Sequence, residues 1–216
     1  MRISLFTIIF TLLSLVPLEV KADTCSVPKV LIVLDKSSSM VRSKIDNQTL
    51  WYWAVDAVST LASTYDGSID FGLMVFPGVD QCTEGAVMID IAAGSSTDIV
   101  NSLATQDPPP WGGNYTPMYQ SLDAAATYTP LLDNTSSNYV ILITDGWQYC
   151  DPPDYATRFL PVDSVVDLYG LGIGTAVVGF SSSVDATALH RMAYEGGLEK
   201  GTCNVTASPI NDSNRC

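Results

Sequence analysis

The chain has 216 residues, with 23 acidic and 10 basic side chains and a net charge of −13 at pH 7. An acidic chain without a basic cluster argues against nucleic acid and anionic membrane surfaces as partners, although such a charge also simply favours solubility. The single histidine, His190, and five cysteines without a Cys-x-x-Cys pair argue against a zinc site.

The first 22 residues have the composition of a secretory signal peptide. Arg2 gives a positive start, residues 3–18 form an apolar core, and Ala22 is a small residue at the end. The apolar run is short for a membrane span, so we predict cleavage after Ala22, with an uncleaved anchor as the alternative. Residues 23–216 suit one domain without a membrane span. We expect it to be secreted, at the cell surface or periplasmic.

The first element of the domain is a buried strand that ends in a polar loop. Residues 30–34 are five consecutive apolar residues, which is typical of a parallel strand buried on both faces. Asp35, Ser37 and Ser39 follow on alternate positions, and their oxygens suit a hard cation such as Mg²⁺ or Mn²⁺. An Asp followed by serines is equally typical of a helix N-cap or a side-chain turn.

Strands and helices alternate along the rest of the chain. Strands are predicted over residues 69–76, 86–91, 139–144 and 175–180, and helices over residues 47–65, 95–104, 116–128, 155–169 and 185–194. Pro117 stands at the first position of its predicted helix, where proline is favoured. The glycine run at residues 170–174 precedes a strand, so it indicates a plain connection and no phosphate site. This alternation predicts an α/β domain whose mostly parallel sheet is covered by helices on both faces.

Two of the buried strands end in an aspartate, at Asp35 and Asp145. In open α/β sheets, ligands bind at the carboxyl ends of the strands, where the strand order reverses. Thr116, at the start of a predicted helix, adds a third loop at the same edge. The predicted metal site is therefore composed of oxygen donors from three loops: Asp35, Ser37, Ser39, Thr116 and Asp145.

Three segments resemble the parts of the metal-ion-dependent adhesion site of von Willebrand factor A domains, here of a secreted, bacterial type. They are Asp35-Lys-Ser-Ser-Ser39, Gly112-Gly-Asn-Tyr-Thr116-Pro117 and Ile143-Thr-Asp145-Gly146. The resemblance implies a doubly wound, Rossmann-like sheet of order 3-2-1-4-5-6 with an antiparallel third strand. It implies that the three hydroxyls bind the metal directly or nearly so, and the two carboxylates partly through water.

This sequence departs from the family pattern in two places. Ser38 stands where many members have glycine, and the family's last strand and helix are not found after Gly196-Gly197. We therefore expect a C-terminally incomplete domain with one sheet edge lacking its closing strand.

The function predicted from these features is non-enzymatic adhesion. The domain is expected to coordinate Mg²⁺ or Mn²⁺ and to bind an acidic group of a protein partner, whose carboxylate completes the metal's coordination. A metal-free structural module of a larger surface protein is one alternative. A metal-assisted hydrolase is another, but no histidine is placed to serve the serines as a base.

The cysteines and the loop aromatics remain to be assigned. We predict Cys82–Cys150 and Cys203–Cys216 disulfides, which leaves Cys25 over. Aromatic residues flank the predicted metal loops and either form a recognition rim or pack on each other as loop core: Trp111, Tyr115, Trp147 and Tyr149. His190 lies far in sequence from the motifs and is expected to be structural or on the surface.

Overall fold

The computed structural model describes residues 26–150, 155–180, 184–211 and 213–216. The predicted signal peptide and Cys25 lie outside these residues. The strands are β1 (Lys29–Asp35), β2 (Lys44–Ile45), β3 (Gln48–Thr49), β4 (Asp70–Phe76), β5 (Ala86–Ala92), β6 (Asn138–Thr144) and β7 (Ile173–Gly179). The helices are α1 (Ser39–Arg42), α2 (Leu50–Thr64), α3 (Ser96–Thr105), α4 (Met118–Ala126), α5 (Leu160–Gly170) and α6 (Ala186–Glu195), with 3-10 turns at Thr129–Leu132 and Tyr155–Phe159.

Five of the strands form one sheet in the order β5-β4-β1-β6-β7. All neighbouring pairs are parallel except β4 and β5, so the antiparallel strand lies at one edge. The predicted doubly wound, mostly parallel fold is therefore confirmed, and its first five strands have the predicted order. In the described part of the chain no further strand joins β7. None of the described helices is long and apolar enough to cross a membrane.

The central strand β1 separates two hydrophobic cores, because successive side chains of a strand point to opposite faces. Val30, Ile32 and Leu34 pack with α2 and α3 on one face. Leu31 and Val33 pack with α4, α5 and α6 on the other. Burying each of these side chains fully stabilises the fold by about 1.5–3 kcal/mol. A strand held this way on both faces places its last residue, Asp35, at a fixed point.

Several element boundaries differ from the predictions. The helix predicted from residue 47 begins at Leu50, where the Thr49 hydroxyl accepts the Tyr52 N–H at 3.1 Å. A β2–β3 hairpin precedes it, with positive φ at Asp46 and Asn47. The helix predicted from Thr116 begins two residues later, because the backbone of Thr116 is bonded to another loop. The helix predicted over residues 155–169 begins with a 3-10 turn.

Candidate metal centre

Three loops meet at the carboxyl edge of the sheet. β1 and β6 are parallel neighbours, with Leu34 opposite Ile143, so Asp35 is level with Thr144 and Asp145 follows one residue further at the same edge. Thr116 approaches from the loop before α4. The fold thus brings all three predicted segments to one edge.

A continuous series of hydrogen bonds links the first and third loops. The Ser37 N–H donates to Asp35 Oδ1 at 2.7 Å, and the hydroxyls of Ser37 and Ser39 are 2.8 Å apart. The Ser39 hydroxyl donates to Asp145 Oδ1 at 2.7 Å. Four of the five predicted ligands are therefore joined through direct contacts.

Thr116 completes the cluster from the other side of Gly146. A Cβ built on Gly146 would lie 3.4 Å from Thr116 Oγ1 and 3.8 Å from Asp35 Oδ2. These two oxygens therefore border the same small space, which a side chain at position 146 would begin to fill. All five predicted residues lie together, and all except the partly exposed Ser39 are buried.

The two carboxylates are buried next to each other. Asp35 is fully buried, and this burial, together with repulsion from Asp145, raises its pKa from 3.8 to about 7 despite hydrogen bonds from Thr144 and Ser37. Burial also raises the pKa of Asp145, while the Ser39 hydrogen bond and the charge of Arg42 act in the opposite direction. Among the described residues, the ion pairs are Lys29–Asp133 and Arg158–Asp185, and neither Asp35 nor Asp145 belongs to one.

Thr144 supports the site and was not predicted from the sequence. Its hydroxyl donates to Asp35 Oδ2 at 2.6 Å and accepts the Gly146 N–H at 3.1 Å. It therefore orients the Asp35 carboxylate and the third loop together. Thr144 is the last residue of β6 and lies inside the Ile143-Thr-Asp145-Gly146 segment, but nothing in the sequence indicates that its hydroxyl contacts Asp35.

Ser38 and Asn114 join the first two loops. The Ser38 N–H donates to Asn114 O, and the Asn114 N–H donates to Ser38 Oγ, both at 3.0 Å. The Asn114 side chain also donates to Lys36 O at 3.2 Å. The serine that stands where many family members have glycine thus contributes a bond that glycine could not make.

The donor set fits a hard divalent cation. The described residues contain no group of three or more His, Cys, Asp or Glu side chains that could hold a metal ion, so hydroxyls must supply much of a coordination shell here. Adjacent ligands of an octahedral Mg²⁺ lie about 2.9 Å apart. The hydrogen bonds of 2.7–2.8 Å along Ser37, Ser39 and Asp145 hold these oxygens at about this spacing. A cation would also offset the charge of two buried carboxylates.

Aromatic side chains surround the mouth of this site, a cavity of about 450 Å³. Tyr115 and Tyr149 contact each other with ring centroids 5.4 Å apart. Trp147 is 41% exposed, with the Arg158 guanidinium 4.6 Å from its ring centroid; Trp111 is 71% exposed but does not line the cavity. The two tyrosines thus pack together, and the tryptophans leave large surfaces open to solvent.

The remaining predicted features lie at other positions. Both predicted disulfides, Cys82–Cys150 and Cys203–Cys216, are confirmed. His190 is buried on α6, where its Nδ1 accepts the Cys216 N–H at 2.9 Å and its Nε2 lies 2.9 Å from Asn204 O. Its two ring nitrogens are engaged by the C-terminal segment.

The fold and the site together define a doubly wound α/β domain with an oxygen-lined pocket at the carboxyl edge of its sheet. The family model of the von Willebrand factor type A domain matches residues 29–212. The chain belongs to this family. A comparison with curated protein sequences gives no match.

Solved structures of other proteins share the fold. BatB from Bacteroides thetaiotaomicron, a conserved hypothetical protein, superposes with a TM-score of 0.60 at 17% identity, over 78% of this chain and 86% of that chain. Proximal thread matrix protein 1 from the mussel byssus gives 0.59 at 22% identity, over 78% of this chain and 42% of that one. Manganese-loaded TRAP protein from Plasmodium vivax gives 0.57 at 16% identity, over 82% and 65%.

Proposed function

We propose that this domain is an exported, non-enzymatic adhesion module. It binds Mg²⁺ or Mn²⁺ at a metal-ion-dependent adhesion site and uses the ion to hold a carboxylate of a protein partner. Residues 1–22 would be its signal peptide, and the two disulfides fit an oxidising, extracellular or periplasmic compartment.

The observation that carries this proposal is the pair of neighbouring buried carboxylates. Desolvation and mutual repulsion make two ionised aspartates costly in this position. The raised pKa of Asp35, about 7, expresses that cost. Their hydrogen-bond partners are hydroxyls and backbone N–H groups, and the charge of Arg42 offsets only part of the effect of burial on Asp145. A divalent cation would compensate the remaining negative charge.

The five residues would coordinate the ion in two different ways. The hydroxyls of Ser37, Ser39 and Thr116 are neutral ligands, and Asp35 and Asp145 supply the charge, partly through water. Two carboxylates and three hydroxyls satisfy a hard dication only weakly. An open coordination position on the ion would therefore bind a carboxylate from a partner. Because the ion is held weakly without that carboxylate, the adhesion would be reversible. The TRAP protein from Plasmodium vivax, which shares the fold, is manganese-loaded, and this supports a metal-binding role for the present domain.

We favour a binding function over hydrolysis because of the side chains that line the site cavity. The described residues that line the site cavity include Arg42, the predicted ligand Asp145, and hydroxyl, amide and aromatic side chains, but no histidine. The one histidine of the chain is buried beside Cys216. A metal-activated water would therefore lack a histidine base.

Calorimetric titration with Mg²⁺ tests the metal site. We expect saturable heat from the wild type and none from Asp35→Ala, because the variant loses a central oxygen ligand. Asp66→Ala is the matched control, since Asp66 is an exposed carboxylate in the turn between α2 and β4, at the opposite sheet edge. Equal heats from the wild type and Asp35→Ala would rule out metal binding at this site.

The partner chemistry needs a separate experiment. A displayed random peptide library can be captured on the Mg²⁺-loaded domain and eluted with a chelator. We expect the eluted peptides to be enriched in Asp and Glu, and a second selection on Asp35→Ala to lose the enrichment. Eluted peptides with background acidic content would contradict a carboxylate partner.

A further inference from the structure

We propose that the Cys82–Cys150 disulfide is a positioning device for the metal centre, and that opening it weakens divalent-cation binding. The inference rests on the proposed metal function. It concerns a bond outside the five predicted ligands, and it makes the metal affinity of the domain dependent on the redox state of one disulfide.

The disulfide closes a ring of contacts that contains Thr116. The Tyr115 N–H donates to Gln81 O at 3.1 Å. Thr116 and Tyr149 exchange two backbone hydrogen bonds, at 2.8 and 3.1 Å. Gln81 is followed by Cys82, and Tyr149 is followed by Cys150. The disulfide between these two cysteines closes the ring. Three segments distant in sequence are thus tied at one place.

Thr116 depends on this ring for its position. It belongs to no helix or extended strand; its N–H donates to Tyr149 O, and its carbonyl oxygen accepts from the N–H groups of Tyr149 and Met118. The two residues directly before it are half-buried, with Asn114 bonded to Ser38 and Tyr115 bonded to Gln81, and the exposed segment of residues 111–113 precedes them. Without the disulfide, the loop that carries Tyr149 is no longer covalently joined to Gln81 and the segment around it. The bonds between Ser38 and Asn114 still join the second loop to the first, but the Thr116 hydroxyl, the ligand from the second loop, is then held less tightly relative to Asp35.

The chemistry needs an external dithiol. A thiolate of the dithiol attacks one sulfur of the disulfide and forms a mixed disulfide, and the second thiol of the reagent then displaces the remaining protein sulfur. The dithiol is oxidised to a cyclic disulfide. Its two electrons and two protons pass to Cys82 and Cys150, which become thiols. Both cysteines are partly exposed, so a small reagent can reach them.

Coupling between metal and disulfide is reciprocal. If opening the disulfide weakens Mg²⁺ binding by some factor, saturating Mg²⁺ must make the disulfide harder to reduce by the same factor. Changes to groups that orient metal ligands typically lower metal affinity about 10- to 100-fold. We expect the same range for both effects here.

The first experiment compares Mg²⁺ affinities by calorimetry on the full chain. Cys82→Ser/Cys150→Ser should bind about 10- to 100-fold more weakly than the oxidised wild type. Cys203→Ser/Cys216→Ser is the matched control and should bind like the wild type, since that disulfide joins the C-terminal segment. Circular dichroism verifies that each variant is folded. Equal affinities for the wild type and the Cys82/Cys150 variant would overturn the inference.

The second experiment uses only the wild type and so does not depend on a variant that folds. The protein is equilibrated with graded ratios of reduced to oxidised dithiothreitol, in Mg²⁺ or in chelator, then alkylated and analysed by mass spectrometry. Opening Cys82–Cys150 should require an about 10- to 100-fold higher ratio in Mg²⁺. In the same samples, Cys203–Cys216 should open at the same ratio of reduced to oxidised dithiothreitol in Mg²⁺ as in chelator. Identical ratios for Cys82–Cys150 would overturn the inference, whereas no Mg²⁺ binding by the oxidised wild type would instead overturn the proposed function.

Discussion

Replacing Asp35 with asparagine should stabilise the metal-free domain at neutral and higher pH while removing its response to metal. Asparagine keeps the shape of the side chain, and its Oδ1 can still accept the Ser37 N–H. The Thr144 hydroxyl, which donates to Asp35 in the wild type, can turn to accept from the new amide. What the substitution removes is the buried charge.

The size of the effect follows from the pKa of Asp35, which rises from 3.8 to about 7 on folding. Between these values the folded state binds more protons than the unfolded state, so stability falls as pH rises. The contribution is fully present below pH 3.8 and is lost as pH passes through about 7. The shift corresponds to about 4 kcal/mol between the two limits.

Urea denaturation in chelator, followed by circular dichroism from pH 4 to pH 8, measures this difference. The free energy of unfolding of the wild type should fall relative to that of Asp35→Asn by up to about 4 kcal/mol. Mg²⁺ at about 100 times its Kd should then stabilise the wild type by about 2.7 kcal/mol and leave the variant unchanged. Parallel pH profiles for the two proteins would refute the buried-charge reasoning, and equal stabilisation by Mg²⁺ would refute the site.

Three further predictions concern the surroundings of the site and the C-terminal segment. Thr144→Val should weaken Mg²⁺ binding about 10-fold in calorimetry, because it removes the hydroxyl that orients Asp35, whereas Thr144→Ser should bind like the wild type. The apparent Mg²⁺ affinity should rise about 10-fold per pH unit up to the pKa of Asp35 and then level off, because a proton competes with the ion; a flat titration series from pH 5 to 7 would contradict this. His190→Phe keeps an aromatic ring but removes the acceptor for the Cys216 N–H and the contact with Asn204 O. The free energy of unfolding should therefore fall by about 1–3 kcal/mol, and the Cys216 amide should exchange faster. Unchanged exchange at that amide would show that the bond is not formed in solution.

The sheet could be predicted from the sequence because its central strands are buried on both faces. Uninterrupted apolar runs at residues 30–34 and 139–143 identify β1 and β6 almost to their ends. The β2–β3 hairpin was missed because its strands are two residues long, too short to show alternation. It also depends on Asp46 and Asn47 both adopting positive φ, which a sequence allows but does not require.

In the candidate site, too, residues at the ends of strands could be predicted, whereas contacts between residues distant in sequence could not. Asp35 and Asp145 could be predicted to meet because each ends a buried strand, and parallel strands align their carboxyl ends. Thr144 could not, because its role depends on the side chain that lies opposite it on β1. The exchange of bonds between Ser38 and Asn114 likewise joins residues 76 positions apart, and no periodicity reports such a contact.

The central strand has a consequence for how the module is displayed. β1 runs for seven residues, about 20 Å at the usual rise of a strand, from the side where the chain enters to the rim that carries Asp35. Ser26 is fastened at the starting side, where its hydroxyl donates to Thr135 O at 2.6 Å. Ser26 and the mouth of the site therefore lie at opposite ends of β1, so that a partner docked at the metal does not approach the residue where the described chain begins.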